Sequence, residues 1–287
     1  MTVHTWKHMA IVAALAGTVG IAVPAVALSV GDLVRKTHVH GLAVDPAGDG
    51  TLLVATHHGL HRVGPAGEAE LVSPVQDFMG FSLHPHVAGA MYASGHPPHG
   101  GNLGFIASTD GGRTWKQVSP GAEGPVDFHQ IAVSLADPKT IYGNYRGLQV
   151  SRDGGTSWTM VGPAPEALID LAASSRSTDV LYAATETGLL VSADAGKTWS
   201  ALIVNVPVTL VETTGGGDLY AFVYGQGLMK AREGTNDFIR LGYDVPGGFL
   251  LHLAVHPSDP RRLFAADNRG RIVASTDEGK TWIPIDD

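Results

Sequence analysis

One phrase occurs four times in this chain: STDGGRTW at Ser108 to Trp115, SRDGGTSW at Ser151 to Trp158, SADAGKTW at Ser192 to Trp199, and STDEGKTW at Ser275 to Trp282. The first three copies lie about 41–43 residues apart, and the last follows after about twice that interval. A gap of two periods implies one worn copy in between, and a period near 40 points to propeller blades. Each residue type in the phrase has a local task. The Asp carboxylate accepts hydrogen bonds from backbone N–H groups of its own turn. The Gly (Gly112, Gly155, Gly196, Gly279) supplies a positive φ that other residues adopt only at a cost. The Ser closes one strand and the Trp opens the next, with a ring large enough to plug the seam between sheets. The phrase therefore reads as a self-satisfied hairpin turn, a structural part rather than an active site.

Two further markers extend the repeat. Gly-Leu or an equivalent pair recurs at Gly59-Leu60, Gly104-Phe105, Gly147-Leu148, Gly188-Leu189, Gly227-Leu228 and Gly270-Arg271. Short apolar strands end in Asp-Pro or His-Pro turns: LAVDP at 42–46, FSLHP at 81–85, IAVSLADP at 131–138 and LAVHPSDP at 253–260. The worn copies of the phrase then fall near Val63–Glu68 and Ala231–Asn236. Each unit reads as four short strands, A to D, bounded by Gly, Pro and Asp. The expected fold is all-β, a six-bladed β-propeller of four-stranded antiparallel blades, forming one domain over residues 38–287.

The N-terminus differs from the rest. After Lys7 comes an uncharged apolar stretch from Met9 to about Val30 that contains Ala25-Val26-Ala27. A basic n-region, an apolar h-region and an A-x-A site are the signature of a secretory signal peptide, expected over residues 1–27. An uncleaved anchor is the alternative, because the stretch is long enough to span a bilayer. Either way the propeller is expected to be exported, to a bacterial periplasm, cell surface or medium, with membrane contact only through this segment. Residues 28–37 are expected to form a short leader that adds a strand to the last blade. The chain has no cysteine, hence no disulfide and no thiolate ligand, and its formal charge of −8 argues against nucleic acid.

The 14 histidines carry the functional signal, because ten of them lie between His38 and His129, within the first three repeats. Aligning the A strands places His38-Val39-His40 with Asp77-Phe78-Met79 and Asp127-Phe128-His129. Residues two apart on a strand share a face, so each pair points the same way. The fourth repeat has Ala167 and Ile169 there, so polar pairs are no requirement of the blade. The B–C turns lie at the rim where strand A begins. They carry His57-His58 in repeat one and the expanded Gly95-His96-Pro97-Pro98-His99-Gly100-Gly101-Asn102 in repeat two. The expected site is therefore His38, His40, His57, His58, His96, His99 and His129 with Asp77, Met79 and Asp127, on the rim opposite the repeated phrase. Imidazole with carboxylate suits zinc, copper, nickel or iron, and thioether sulfur leans towards copper, so copper or zinc is the expected ion. No organic cofactor is indicated. His84, His86 and His256 read as ordinary turn residues of the other rim.

The phrase resembles the Asp-box (BNR) repeat of sialidases, sortilin-type receptors, xyloglucanases and a photosystem assembly factor. Its structural residues here would be Asp110, Asp153, Asp194 and Asp277 with Trp115, Trp158, Trp199 and Trp282. The chain also resembles exported bacterial proteins labelled glycosyl hydrolase on this repeat. The resemblance implies a propeller, but functions within the group are unrelated. A sialidase would need three arginines, a Tyr–Glu nucleophile pair and an acidic Asp. The A-strand openings here carry no Arg, and only Arg146 and Arg269 fall in upper-rim turns. Three readings stay open: a metal-binding propeller, a glycoside hydrolase with Asp77 and Asp127 as acid and base or nucleophile on a glycan, and a protein-binding platform.

Overall fold

A computed structural model describes residues 28–46, 48, 50–242 and 248–285. The expected signal segment, with His4 and His8, lies outside the described residues. The fold is a six-bladed β-propeller with almost no helix. The inner strands are Val39–Val44, Asp77–Leu83, Gln130–Val133, Leu168–Ala173, Val208–Thr213 and Leu250–Val255. Each is followed by three antiparallel neighbours in sequence order, so every blade is built from contiguous chain. The inner strand of the first blade packs against those of the second and the sixth, which closes the ring.

The leader differs from its expectation. Leu28–Ser29 pairs with Glu68–Leu71, the outer strand of the first blade, and gives that blade a fifth strand. The last blade instead ends on its own Ile283–Pro284, paired to Ile272–Ser275. The reason lies in the next residues. Ser29 accepts the Asp32 amide as an N-cap and starts the helix Val30–Lys36. Val30 and Leu33 then bury into a cluster with Val44, Val63 and Ile272, between the first and last blades. The leader closes the ring by plugging this seam with a two-turn helix, not by adding a strand across it.

The four copies of the phrase behave alike. In the first, Ser108 Oγ donates to Asp110 Oδ1 (2.8 Å), the Thr114 amide donates to the same oxygen (2.9 Å) and the Thr114 hydroxyl to Oδ2 (2.6 Å). Asp153, Asp194 and Asp277 repeat the pattern. These bonds hold all four carboxyls down at about 2. The indoles fill seams: Trp115 lies 4.8 Å from the Phe78 ring, and Trp158 lies 5.1 and 4.8 Å from Phe105 and Phe128. Gly155, at φ +88, could not be alanine, because a Cβ would sit 2.0 Å from the Phe105 ring. The phrase shares its rim with the A–B turns, as the Gly111 amide bound to Gly89 O shows, and so lies opposite the B–C turns. The worn copy in the fifth blade keeps a different anchor. Buried Glu233 accepts from the Ser174 and Ser175 hydroxyls and the Ser175 amide of the blade before it.

The inner strands are stitched to one another by side chains. Gln130 Nε2 donates to Ile169 O (3.1 Å) between blades three and four. Asp170 Oδ2 accepts the Val211 amide (2.9 Å) between four and five. Thr209 Oγ1 donates to Leu250 O (2.6 Å) between five and six, and His252 Nε2 donates to Val39 O (3.2 Å) between six and one. Gln130, Asp170 and His252 occupy equivalent strand positions, and the residues there in blades one and two are Gly41 and Gly80. Both glycines are closely covered. A Cβ on Gly41 would lie 2.7 Å from Phe81 Cβ, and one on Gly80 would lie 2.3 Å from Phe128 O. The first two junctions are therefore held by other groups.

Candidate functional site

Those other groups are histidines and aspartates of the upper rim. His57, in the B–C turn of the first blade, sets Nδ1 3.0 Å from Asp77 Oδ2 at the start of the second blade. His96, at the end of Met91–His96 in the second blade, sets Nε2 3.0 Å from Asp127 Oδ2 ahead of the third. The two junctions thus repeat one arrangement, a turn imidazole of one blade on the entry carboxylate of the next.

At the first junction His40 completes a group of three. Its Nε2 faces His57 Nε2 at 3.0 Å, and one ligand atom from each of His40, His57 and Asp77 lies within 4.8 Å of the others. The Asp77 carboxylate only accepts, so His57 carries its proton on Nδ1 and turns the Nε2 lone pair towards His40. Burial, and then the neighbouring His57, bring His40 down to about 4, against the pull of Asp77. His40 is therefore neutral at physiological pH, the form that ligates metals. The exposed His38 ring stands 5.5 Å from that of His57 and 6.5 Å from that of His40, centroid to centroid. Asp77 Oδ1 is buried with no partner among the described residues.

At the second junction Asp127 Oδ2 takes two imidazoles, His96 Nε2 and His129 Nε2, each at 3.0 Å. The Asp127 side chain is only 6% exposed, and its Oδ1 is buried and unpartnered. Burial pushes this carboxyl up, but the bonds from His129 and His96 outweigh it and leave Asp127 below the usual carboxylate range. The same bond raises His129, against burial. The expanded loop holds itself in shape: His96 Nδ1 lies 2.8 Å from Gly101 O, the Leu103 amide bonds Gly95 O, and Asn102 Nδ2 donates to Pro125 O and Tyr145 Oη.

The expected ten residues thus separate. His40, His57 and Asp77 come together beside His38, and His96, Asp127 and His129 come together one blade on. Exposed His58 belongs to neither group, and His99 is exposed at the loop tip. Met79 is buried at the strand position that His40 holds in the first blade. His84 Nδ1 accepts the amides of His86 and Val87 in its own turn, and His256 Nδ1 that of Ser258. Elsewhere on the rim, Pro207, Tyr224, Phe249 and Leu251, with Glu186 and Thr209, line a hollow of about 370 Å³.

The inner strands enclose a central cavity of about 1320 Å³ whose wall includes His38, His40, His57 and His129. Sequence reasoning passed over two carboxyls of this wall, Asp170 and Glu212. Burial raises Asp170 to about 6, although it accepts the Val211 and Leu171 amides. Burial, and then the Asp170 charge, raise Glu212 to about 8. The one available signal was a lone acid inside each of the apolar strands LIDLAA and VTLVET. Glu212 lies where the other blades have Ala43, Ser82, Ala132, Ala172 and Ala254.

A raised carboxyl stabilises the fold fully below its unfolded value near 4.5, and that contribution is lost as pH rises through about 8. Glu212→Gln is therefore expected to leave stability unchanged at pH 4 and to raise it at pH 8.5. The whole shift corresponds to several kcal/mol. Glu212 is not fully buried and lines the central cavity, so the expected gain is about 1–2 kcal/mol. Denaturant melts at the two pH values check this, and equal stabilities at pH 8.5 would contradict it.

No family model matches the chain, and no curated protein does. Among solved structures, a GH74 xyloglucanase from Xanthomonas campestris is 20% identical with a TM-score of 0.60, over 86% of this chain and 45% of that one. A GH74 enzyme from Niastella koreensis is 17% identical with a TM-score of 0.62, over 86% and 45%. A Bacteroides thetaiotaomicron protein is 10% identical with a TM-score of 0.60, over 83% and 68%. The chain spans less than half the length of the two GH74 enzymes. At such identities the likeness establishes the propeller fold alone.

Proposed function

We propose that this protein is an exported transition-metal-binding propeller, loaded with copper or zinc and serving metal handling or sensing. The ion is held by His40 Nε2 and His57 Nε2, with His38 swinging in as a third ligand and Asp77 orienting His57 from behind. One observation carries the reading. Two imidazole nitrogens converge to 3.0 Å on the rim while the back nitrogen of one is fixed by a carboxylate. Ligand atoms about 2.0–2.1 Å from one ion at angles of 90–109° lie about 2.9–3.4 Å apart. A histidine whose other nitrogen meets a carboxylate is the usual outer arrangement of a metal ligand. Export is supported by the basic and apolar N-terminal segment ending near Ala25-Val26-Ala27.

The rim carboxyls Asp77 and Asp127 do not favour hydrolysis to the same degree. A glycosidase needs one carboxyl raised so that it stays protonated near neutral pH. Asp127 is instead lowered, and Asp77 is committed to His57.

Tag-free protein purified without chelator is expected to contain copper or zinc by elemental analysis. After stripping, it should rebind Zn²⁺ or Cu²⁺ with micromolar affinity or better by calorimetry. Metal-free preparations with only millimolar affinity would end the proposal.

A further inference from the structure

The two stitch-free junctions are built to one plan, and only one of them has been assigned a ligand. Each replaces the stitching side chain by glycine, Gly41 or Gly80. Each sets a B–C turn imidazole 3.0 Å from the carboxylate that opens the next blade, His57 on Asp77 and His96 on Asp127. Each leaves the second oxygen of that carboxylate buried and unpartnered. Each adds a further imidazole, His40 from the preceding blade or His129 from the following one. At the other four junctions the entry positions hold Ala167, Pro207, Phe249 and His38, and an inner-strand side chain makes the stitch.

We infer that the junction between blades two and three is a second metal site, with His96 Nε2, His129 Nε2 and the Asp127 carboxylate as ligands. This rests on the metal reading of the first junction. Two features point to an ion. The Asp127 carboxylate, 6% exposed, has both imidazoles on Oδ2, while its buried Oδ1 has no partner among the described residues, which leaves a costly open acceptor at the site. The contacts from Asp127 Oδ2 to His96 Nε2 and His129 Nε2, both 3.0 Å, have the length of two edges of a coordination polyhedron sharing that oxygen. Unlike those of His40, His57 and Asp77, the ligand atoms of His96, Asp127 and His129 do not all lie within 4.8 Å of one another, so binding requires the two rings, 42% and 57% exposed, to turn towards each other.

His96 adds a chemical argument. Both of its nitrogens face oxygens that only accept, Gly101 O at 2.8 Å and Asp127 Oδ2 at 3.0 Å. With an ion at Nε2, the Nδ1–H bond to Gly101 O remains and becomes the outer hydrogen bond that orients a ligating imidazole. The loop closed by Gly95, Leu103 and Asn102 fixes His96 for this. The ligand set is one carboxylate and two imidazoles, which suits a divalent first-row ion, and zinc is the probe of choice.

The test is Zn²⁺ stoichiometry on the stripped, tag-free full chain, by calorimetry with elemental analysis after gel filtration. Two equivalents are expected. His57→Ala should leave one, and His96→Gln or His129→Gln should each leave the other. His99→Gln, on the same loop but outside both groups, should keep two. Circular dichroism melts confirm that each variant is folded, which the exposure of the substituted rings favours. One equivalent, lost in His57→Ala and kept in His96→Gln and His129→Gln, overturns the second site and leaves the first standing. One equivalent lost in all three variants overturns it in favour of a single shared site. Loss of an equivalent in His99→Gln also overturns it, by assigning the binding to loose surface histidines. No bound zinc or copper removes the metal reading itself.

Discussion

His57→Ala is expected to weaken metal binding at the first junction by about 10²–10³-fold, the largest single effect on the rim. Structural zinc sites gain about 10–16 kcal/mol from four ligands, so one ligand averages about 3 kcal/mol, roughly a hundred-fold in affinity. His57 does more than an average ligand, because the Asp77 contribution passes through it. Outer partners of metal-bound histidines are typically worth 10–100-fold, and Asp77 Oδ2 holds His57 Nδ1 at 3.0 Å. Asp77→Asn is the graded companion. Its amide oxygen can still accept from His57 Nδ1–H, so it should cost about 10–100-fold and no more. Competition against a chromophoric chelator measures both. Equal affinities in the wild type and His57→Ala would place the ion elsewhere.

The same substitution separates two roles of the pair. His57 and Asp77 also bridge blades one and two where Gly41 offers no stitch. The bridge is a partly exposed imidazole–carboxylate hydrogen bond, and such a bond contributes modestly to stability, about 0.5–1.5 kcal/mol. Loss of metal with little loss of fold is therefore the expected signature. A large drop in the metal-free melting temperature would show that the pair is a stitch first and a ligand second.

How much of this was legible in the sequence follows from which distances the chain itself sets. The repeat period and the Gly, Pro and Asp punctuation give the blades, because each blade is contiguous and its hairpins are local. The nearness of His38 to His40 and of Asp127 to His129 is also local, two positions apart in the chain, although His38, Asp127 and His129 precede their inner strands, which begin at Val39 and Gln130. What sequence could not give is the distance across a junction. His57 is 20 positions from Asp77, and His96 is 31 from Asp127, and only the packing of blade on blade decides that each pair meets at 3.0 Å. Hence ten residues expected in one sector resolve into two groups, and His58 and His99 drop out by pointing to solvent. The leader strand was misplaced because Ser29 and Asp32 were not seen as a helix cap. Glu212 was missed because one acid in VTLVET reads as a solvent-facing residue until the strand is known to line an enclosed cavity.

Phe128→Ala tests whether the core, rather than the loop, positions the second group. Phe128 stands between Asp127 and His129, fully buried, with its ring 4.8 Å from Trp158 of the repeated phrase. Its backbone is fixed as well, since its amide donates to Ser94 Oγ (3.0 Å), which in turn donates to Gly104 O. Gly143 completes the socket, because a Cβ there would lie 2.6 Å from the Phe128 ring. Truncating a buried Phe to Ala typically costs about 3–5 kcal/mol, and here the empty space would open beneath the segment that carries both ligands. The expected result is a loss of that size in denaturant melts, with the His96–Asp127–His129 site lost and the His40–His57 site retained. Phe128→Leu, which fills most of the socket, should recover most of the stability and the second metal equivalent together. If Phe128→Ala lowers stability but keeps both equivalents, the loop from Gly95 to Asn102 is sufficient to hold the site. The tryptophan of the repeated phrase would then stop short of the functional rim. If both are lost together, the chain of contacts from Trp158 through Phe128 to Asp127 is the physical link by which a structural repeat on one rim fixes the chemistry of the other.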